Sequence, residues 1–515
     1  MGEARLERFR ELVSDGWAGV QKGLEKEGLR VDGNGFIAQT PHPRALGSAL
    51  THPAITTDYS EALLELITPV CHSTEALLDE LTDVHAYVQM NLGDEVLWPL
   101  SMPCRLEGDA SIPIARYGSS NVGMLKTVYR RGLAERYGRV MQSIAGTHYN
   151  FSLPESFWRR WQTLLGDQQS LQTFRTEQYF WLIRNFRRRS WMLMYLFGCS
   201  PALDASFVAG RRHKLEPWPR ESLYAPNATS LRMSDLGYHN HAQSSLDICF
   251  NRLETYTETL DRAIHTPWPA YEKIGLFRDG ERIQINASVL QIENEYYSPI
   301  RPKRTTEPGE KPLHALEHRG VEYVEVRCLD LDPFSSIGVT AEQIDFLDLF
   351  LLDCLVDDSP LVSDSECDCL DNAFQDVVRN GRAGDLRLPA ACGGGRSVPS
   401  EGLRVLDRLD VLAELLPDTE SYRRALAVQR SKLEDPAATP SAGLLSAMAE
   451  GGQDMLQWGM AQAVEQQSGL RECGLGPSRR EEMERLSRQS LQEQAAIEAS
   501  ETESFEVFLE RYLND

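Results

Sequence analysis

Five segments of this chain read as β-strands that are apolar on one side and carry ionisable or amide groups on the other. In VEYVEVRCLDL (321–331), Val324, Val326 and Cys328 alternate with Tyr323, Glu325 and Arg327. In GTHYNFSLP (146–154), Tyr149, Phe151 and Leu153 alternate with His148, Asn150 and Ser152. GLEKEGLRV (23–31) sets Glu25 and Glu27 two residues apart, and TTDYSEALLELITP adds Asp58, Glu61 and Glu65. LQIENEYYSPIRPKR places Glu293, Glu295 and Tyr297 on one side, with Arg301, Lys303 and Arg304 just beyond. Residues two apart share a strand face, so each segment alone predicts a half-buried strand with its polar side in water. Taken together they hold almost no lysine to balance the carboxylates, and carboxylates on neighbouring strands repel unless cations sit among them. Hard divalent ions choose carboxylate oxygens and, in nucleotide enzymes, share their coordination sphere with phosphate. The pattern predicts a concave sheet face that binds Mg²⁺ and a polyphosphate.

The bulk composition narrows the partners. With 76 acidic against 53 basic residues the formal charge is -23, which disfavours nucleic acid or anionic lipid as the main partner. It leaves room for a small anionic substrate held by local arginines. At 515 residues and 42% hydrophobic content the chain can bury a large core. Ten cysteines are scattered without a C-x-x-C pair, the usage of buried or free thiols in a cytosolic protein rather than a disulfide framework. The N-terminus is charged and amphipathic with no secretory signal, and the longest apolar run, SWMLMYLFGC at 190–199, is too short to span a bilayer. A cytoplasmic monomer is expected, with no nucleic acid and no membrane among its partners.

Helical spacing is expected over 5–25, 72–92 and 155–197, and the chain beyond about residue 400 reads as mostly helical. Arg184, Arg187, Arg188 and Arg189 are read as a solvated basic helix face. Residues 308–312 and the glycine-rich 391–402 are read as loops, and FEVFLERYL near the end as a docking helix. GSSNVGMLKT (118–127) has glycines at 118 and 123, but Met124 and Leu125 separate the second from Lys126, which misplaces the lysine for a phosphate loop. No G-x-G-x-x-G, H-E-x-x-H or G-x-S-x-G occurs, so dinucleotide, zincin and hydrolase-elbow readings lack support.

Eight segments in order, GLEKEGLRV, GSALTHPAITTDYSEALLELITP, WPLSMPC, YGSSNVGMLKTVYRRGLAERYG, QSIAGTHYNFSLP, TSLRMSDLGY, QIENEYYSPIRPKR and VEYVEVRCLDLDPF, closely resemble the proteobacterial-type glutamate-cysteine ligase (γ-glutamylcysteine synthetase) family. The likeness runs from about residue 15 to 345, which suggests a catalytic core over 1–345 and a mainly helical part over 346–515. The resemblance implies an α+β fold with a curved, mainly antiparallel sheet forming a funnel, related to the glutamine synthetase catalytic fold. It also implies ATP-dependent joining of the γ-carboxylate of L-glutamate to the amine of L-cysteine through a γ-glutamyl phosphate, the first step of glutathione synthesis, with Mg²⁺ or Mn²⁺. The chain lacks a further ATP-grasp module, so the fused enzyme that also adds glycine is not expected.

By the same resemblance Glu25, Glu27, Asp58, Glu65, His148 and Glu325 are the expected metal ligands, and Arg327 is the expected partner of ATP's transferring phosphoryl group, with Glu325 beside it in catalysis. Arg130 and Arg232 are expected to fork onto substrate carboxylates. Tyr129, Tyr238 and Tyr297 are expected to offer hydroxyls around the cysteine, and Asn150 to touch substrate. Asp58 as a helix cap, His148 as a satisfied sheet histidine and the tyrosines as core residues are the competing readings. A ligase of the same fold with another amine acceptor, or a Mg²⁺-dependent phosphohydrolase, are the competing functions.

Overall fold

The computed structural model describes residues 2–237, 246, 248–307 and 309–514, without the side chains of residues 391 and 392. Strands β1 (Gln21–Val31), β2 (Ile55–Thr57), β3 (Leu63–Ile67), β4 (Val96–Leu97) and β5 (Thr147–Ser152) precede a small separate sheet of β6 (Ala202–Asp204), β7 (Glu216–Pro217) and β8 (Ser222–Tyr224). A hairpin, β9 (Phe277–Arg278) with β10 (Glu281–Arg282), follows. The chain then returns through β11 (Ile300–Lys303) and β12 (Tyr323–Leu329) to complete a seven-stranded sheet of order β11-β12-β5-β1-β3-β2, with β4 also on β1. Every pairing in it is antiparallel, and helices flank it, as the α+β expectation requires.

Register decides which side chains meet. Glu25 lies opposite His148 on β5 and Ile67 on β3, Glu27 opposite Glu65, and Glu325 opposite both Asn150 and Arg301. Cross-strand partners share a face, so the acidic residues of β1, β3 and β12 gather on one side with His148 and Asn150 of β5. The reverse side carries Leu24, Leu64, Leu66, Tyr149, Phe151, Val324 and Val326, all in one buried cluster. Helix Leu171–Phe197 packs against β11 and β12, and helix Thr74–Asn91 against β1 and β3. Between Val326 and Leu329 the register of β12 shifts, an irregularity of the kind that re-aims a strand side chain.

Several local expectations are corrected. The helix expected over 5–25 stops at Ser14, and β1 begins at Gln21. Gly16 and Gly19 between them take φ of +124° and +79°, values that only glycine adopts without strain. The run 155–197 breaks at Gly166, with φ of +70°, into helices Glu155–Leu165 and Leu171–Phe197. The expected loop at 391–402 holds the end of a one-turn helix, Ala390–Gly393, and the start of helix Val398–Ala413. The basic run is not a solvated face: Arg184 is buried, Arg188 pairs with Glu366 at 2.7 Å, and Arg189 pairs with Asp353 and Asp357. Those acids lie far along the chain, where local spacing has no view of them. Glu293–Glu295 forms a 3₁₀ turn instead of a strand face.

The end of the chain returns to the front of the sheet. Helix Asn121–Tyr137 is capped by Ser120, whose hydroxyl accepts from the Gly123 N–H at 3.2 Å, and it ends at Gly138. Glu501, beyond helix Pro477–Ser500, accepts from the Asn121 backbone N–H at 2.8 Å and from its side-chain amide at 2.6 Å. A carboxylate suits this helix end because the unpaired N–H groups there carry partial positive charge. Leu509 of helix Phe505–Asn514 buries against Val128 and Ile285, in line with the expected docking helix. The nine cysteines whose side chains are described are free thiols. Among the described residues no helix is long and apolar enough to cross a membrane.

Behind β1, the Lys22 ammonium and the Tyr149 hydroxyl converge on the Asp348 carboxylate of helix Ala341–Val356, and all three side chains are buried. Removing the acceptor leaves a buried cation unpaired, so Asp348→Ala should lower folding stability by about 3–5 kcal/mol. Urea unfolding checks this, with a normal m-value expected alongside the lowered midpoint.

Candidate functional site: a carboxylate cluster beside a basic cavity

The polar face of β1, β3, β5 and β12 forms the site. Glu25, Glu65 and His148 each bring a ligand atom to within 4.8 Å of one another, the one such trio among the described residues. His148 is the hub. Its Nδ1 lies 3.4 Å from Glu25 Oε2 and 3.6 Å from Glu325 Oε1, and its Nε2 lies 3.8 Å from Glu27 Oε1. Asp58, just past β2, stands outside the trio, but its charge acts on both Glu27 and Glu65. The structure thus groups five of the six expected ligands around one imidazole or within the trio and sets the sixth beside them.

The carboxylates do not share one environment. Burial and then Glu25, Asp58, Glu27 and Glu325 push Glu65 well above the usual carboxylate range. Burial raises Glu27 too, against His148 and Arg232, which pull it down. Burial and Glu325 push Glu25 up as well, but its hydrogen bond with His148 and the charges of Lys303 and His148 prevail and leave it lowered. Burial also disfavours ionisation of Glu325, yet Arg327, Lys303, His148 and Arg301 together hold it well below the normal range. A divalent cation fits this donor set: hard oxygens with one imidazole, and a carboxylate, Glu65, whose ionisation lacks a compensating charge.

On the other edge of the cluster the Arg327 guanidinium donates to Glu325 Oε2 at 2.9 Å, and the Lys303 ammonium lies 3.7 Å from the same oxygen. Arg301, Lys303 and Arg304 line a 330 Å³ cavity together with Tyr256, Leu260 and Leu313. The RPKR run contained these cations, but only the pairing of β11 with β12 brings them to Glu325. Glu293 and Glu295, whose roles sequence could not assign, serve the scaffold. Glu293 accepts from the Leu313 N–H at 3.0 Å, and Glu295 pairs with Arg136 at 3.2 Å and also accepts from Tyr137.

The expected substrate residues are distributed unevenly. Asn150 donates to Glu25 Oε1 at 2.8 Å while its own carbonyl oxygen is buried without a partner, an acceptor left over for a donor from outside. Arg130 donates from Nε to the Asp58 carbonyl. Arg232, only 1% exposed, donates to Asp330 at 2.8 Å and to the Leu329 carbonyl at 2.8 Å. Its guanidinium lies against Gly146, where an added Cβ would stand 2.8 Å from the guanidinium carbon, and the Gly146 N–H donates to Glu27 at 2.7 Å. Arg232 thereby buttresses the strand end that holds Glu27. Tyr297 donates to the Met233 sulfur at 3.1 Å. Burial first and Glu295 second raise Tyr129, so its hydroxyl keeps its proton. Tyr238 lies outside the described residues.

The comparisons with known proteins agree with one another. The glutamate-cysteine ligase family model matches residues 9–377. Glutamate-cysteine ligase of Hahella chejuensis is 53% identical over 520 residues, spanning 99% of this chain and 98% of that one. That of Azotobacter vinelandii is 51% identical over 498 residues, spanning 95% and 93%. The crystal structure of glutamate-cysteine ligase from Francisella tularensis in complex with AMP superposes with a TM-score of 0.91 at 33% identity, covering 97% of this chain and 98% of that one. A bifunctional glutathione synthetase from Pasteurella multocida gives a TM-score of 0.72 at 26% identity, covering 90% of this chain and 54% of that one.

Metal binding to the cluster should be coupled to proton release. Glu65 holds its proton to higher pH than an ordinary carboxylate, and a cation binds only the ionised form. Affinity should therefore rise with pH until Glu65 is ionised, being weaker at about pH 5.5 than at about pH 7.5. Calorimetric titration with MgCl₂ in buffers of different ionisation enthalpy reads the released proton, and Glu65→Gln should reduce both the release and the pH dependence.

Proposed function

Because the chain belongs to the glutamate-cysteine ligase family, we propose that it joins the γ-carboxylate of L-glutamate to the amine of L-cysteine at the expense of ATP, the first step of glutathione synthesis. A carboxylate is a poor acyl donor. Its oxygen attacks the γ-phosphorus of ATP, giving γ-glutamyl phosphate and ADP; the cysteine amine then attacks the carbonyl carbon, and phosphate leaves with the electrons of the broken C–O bond.

The observation that carries this reading is the meeting of the carboxylate cluster with Arg327, Lys303 and the half-apolar cavity. Glu25, Glu27, Asp58, Glu65, His148 and Glu325 would hold a divalent cation, Mg²⁺ or Mn²⁺, which when bound would offset the charge of phosphate and carboxylate brought together. Arg327 is the phosphoryl-facing residue, its guanidinium steadied by Glu325. The cavity lined by Arg301, Lys303 and Arg304 together with Tyr256, Leu260 and Leu313 is suited to the nucleotide, cations for its phosphates and apolar side chains for its base. Arg130, Asn150, Tyr129 and Tyr297, with Tyr238 and Arg232, are assigned to the amino acids, Arg232 acting largely by supporting the strand end at Gly146. Residues 1–345 would carry the chemistry, and 346–515 would brace it. The protein's contribution is mostly positioning and electrostatics, as phosphoryl transfer allows.

A coupled ADP assay that omits each amino acid in turn tests the reading. ADP should form only with glutamate and cysteine together, and mass detection should find γ-glutamylcysteine. Equal rates with glycine would reject cysteine as the acceptor, and ADP release without any amine would favour a phosphohydrolase. Arg327→Lys should lower turnover by roughly 10²-fold, since a point charge cannot reproduce the fork, with the melting temperature retained.

A further inference from the structure

Two lysines of β1 point to the reverse side of the sheet, and their surroundings differ. Lys22 meets the Asp348 carboxylate. Lys26, only 3% exposed, makes no hydrogen bond or ion pair with any described residue. The one opposite charge that acts on it is that of Glu27, which projects from the other face of the same strand. Two glycines make room for the side chain: an added Cβ at Gly28 would stand 3.1 Å from the Lys26 ammonium, and one at Gly338 3.1 Å from its Cε. A buried ammonium without an acceptor is unfavourable, so a fold that accommodates one in this way implies a group that offsets its charge.

The ammonium borders a small chamber of about 10 Å³ behind the sheet, whose lining includes His85, Gln89, Trp98, Ser336 and Gly338. His85, on helix Thr74–Asn91, is 1% exposed, and both of its ring nitrogens lack a hydrogen-bond partner. Burial first and the Lys26 charge second hold this histidine well below its usual pKa, so the ring is neutral and has one N–H to give. Gln89 follows one turn later on the same helix. Its Oε1 already accepts from Gln467 at 3.1 Å, which leaves its amide N–H groups over. The Trp98 N–H is taken by the Met102 carbonyl at 2.8 Å. Ser336 is exposed, so the chamber opens to solvent on that side. Among the described residues no carboxylate lines it.

We propose that this chamber is a binding site for a monatomic anion of the halide class, which in solution is chloride. N–H donors from a cation, a neutral imidazole and an amide border one space, and no carboxylate opposes them. Size sets the class: the volume is about that of one water-sized probe, so a carboxylate or phosphate, with several heavy atoms, does not fit. Water fits, but it leaves the Lys26 charge uncompensated, whereas a halide both accepts the N–H groups and neutralises the ammonium. The 23 excess negative charges of the chain oppose an anion only at range, and physiological salt screens them beyond about 8 Å. The site lies behind the strand that carries Glu25 and Glu27 and is separate from the acidic face.

Crystals of the wild-type protein soaked in NaBr with chloride omitted read the occupant through bromine anomalous scattering. A peak is expected in the chamber, about 3–3.5 Å from Lys26 Nζ. In solution, chloride replaces gluconate stepwise at constant ionic strength of about 0.2 M, gluconate being too large to enter. The melting temperature should rise along a saturation curve by about 1–3 °C. Lys26→Met, which keeps the side-chain length and removes the charge, should abolish both the bromine peak and that rise. An ordered water in place of bromine, a bromine peak without a chloride effect in solution, or a chloride effect that persists in Lys26→Met would overturn the site. Should Lys26→Met fail to fold, the bromine peak and the chloride curve of the wild type decide alone.

Discussion

Crowding of carboxylates on one sheet face is the constraint to which the rest of this structure answers. At an effective dielectric of about 20, two charges about 5 Å apart repel by about 3 kcal/mol, and Glu65 responds to four such neighbours. Nothing local in the sequence relieves this. What keeps the groups together is the backbone: the antiparallel ladder fixes Glu25 against His148 and Glu27 against Glu65 whatever their charges prefer. The stability that repulsion costs has to come from elsewhere, chiefly from the apolar reverse side of the same strands. Such strain, held by an over-determined scaffold, is typical of a site that expects a ligand of opposite charge.

The scaffold spends its own ion pairs accordingly. Asp330 accepts from Arg232, Ser200, Ser230 and the Cys199 N–H, locking the chain just past β12. Asp353 and Asp357 gather Arg189 and Arg408 between helices. These acids are fully paired. Within the sheet face, Lys303 and Arg327 pair directly with Glu325 on one side, while on the other side Lys126 acts on Glu65 only through its charge. The polarity follows the strand order, so a substrate laid across the face meets different chemistry at its two ends.

The strands and their sidedness were legible in the sequence because period two is a local property, and β1, β5 and β12 fall where alternation puts them. Glu25, Glu27, His148 and Glu325 followed from that same sidedness, together with the family resemblance. Less was legible wherever a partner is distant. Glu293 and Glu295 looked like strand-face acids, but Leu313, Arg136 and Tyr137 claim them. Arg187, Arg188 and Arg189 looked solvated until the acids of residues 353–371 closed on them. Lys126 was set aside because its spacing failed a phosphate loop; in the fold its ammonium lies over the ring of Tyr117, nine residues earlier, whose hydroxyl is bonded to β2.

The same logic explains why the last helices bear on the front of the molecule. Helix Asn121–Tyr137 presents Lys126, Tyr129 and Arg130, yet its start sits against the tail of the chain, with Glu501 on Asn121 and Glu498 on the Ser119 N–H at 2.9 Å. Ser48, on the segment leading into β2, is held by Ser490 and Gln494. Both segments that shape the β2–β3 edge are therefore braced by residues 490–501, whereas the β11–β12 edge is built within the sheet itself. Carboxylates placed at the amide end of the helix complement its dipole and fix its start against the tail of the chain. The helical C-terminal part thus braces the two segments that border β2 and β3, through hydrogen bonds to Ser48, Ser119 and Asn121.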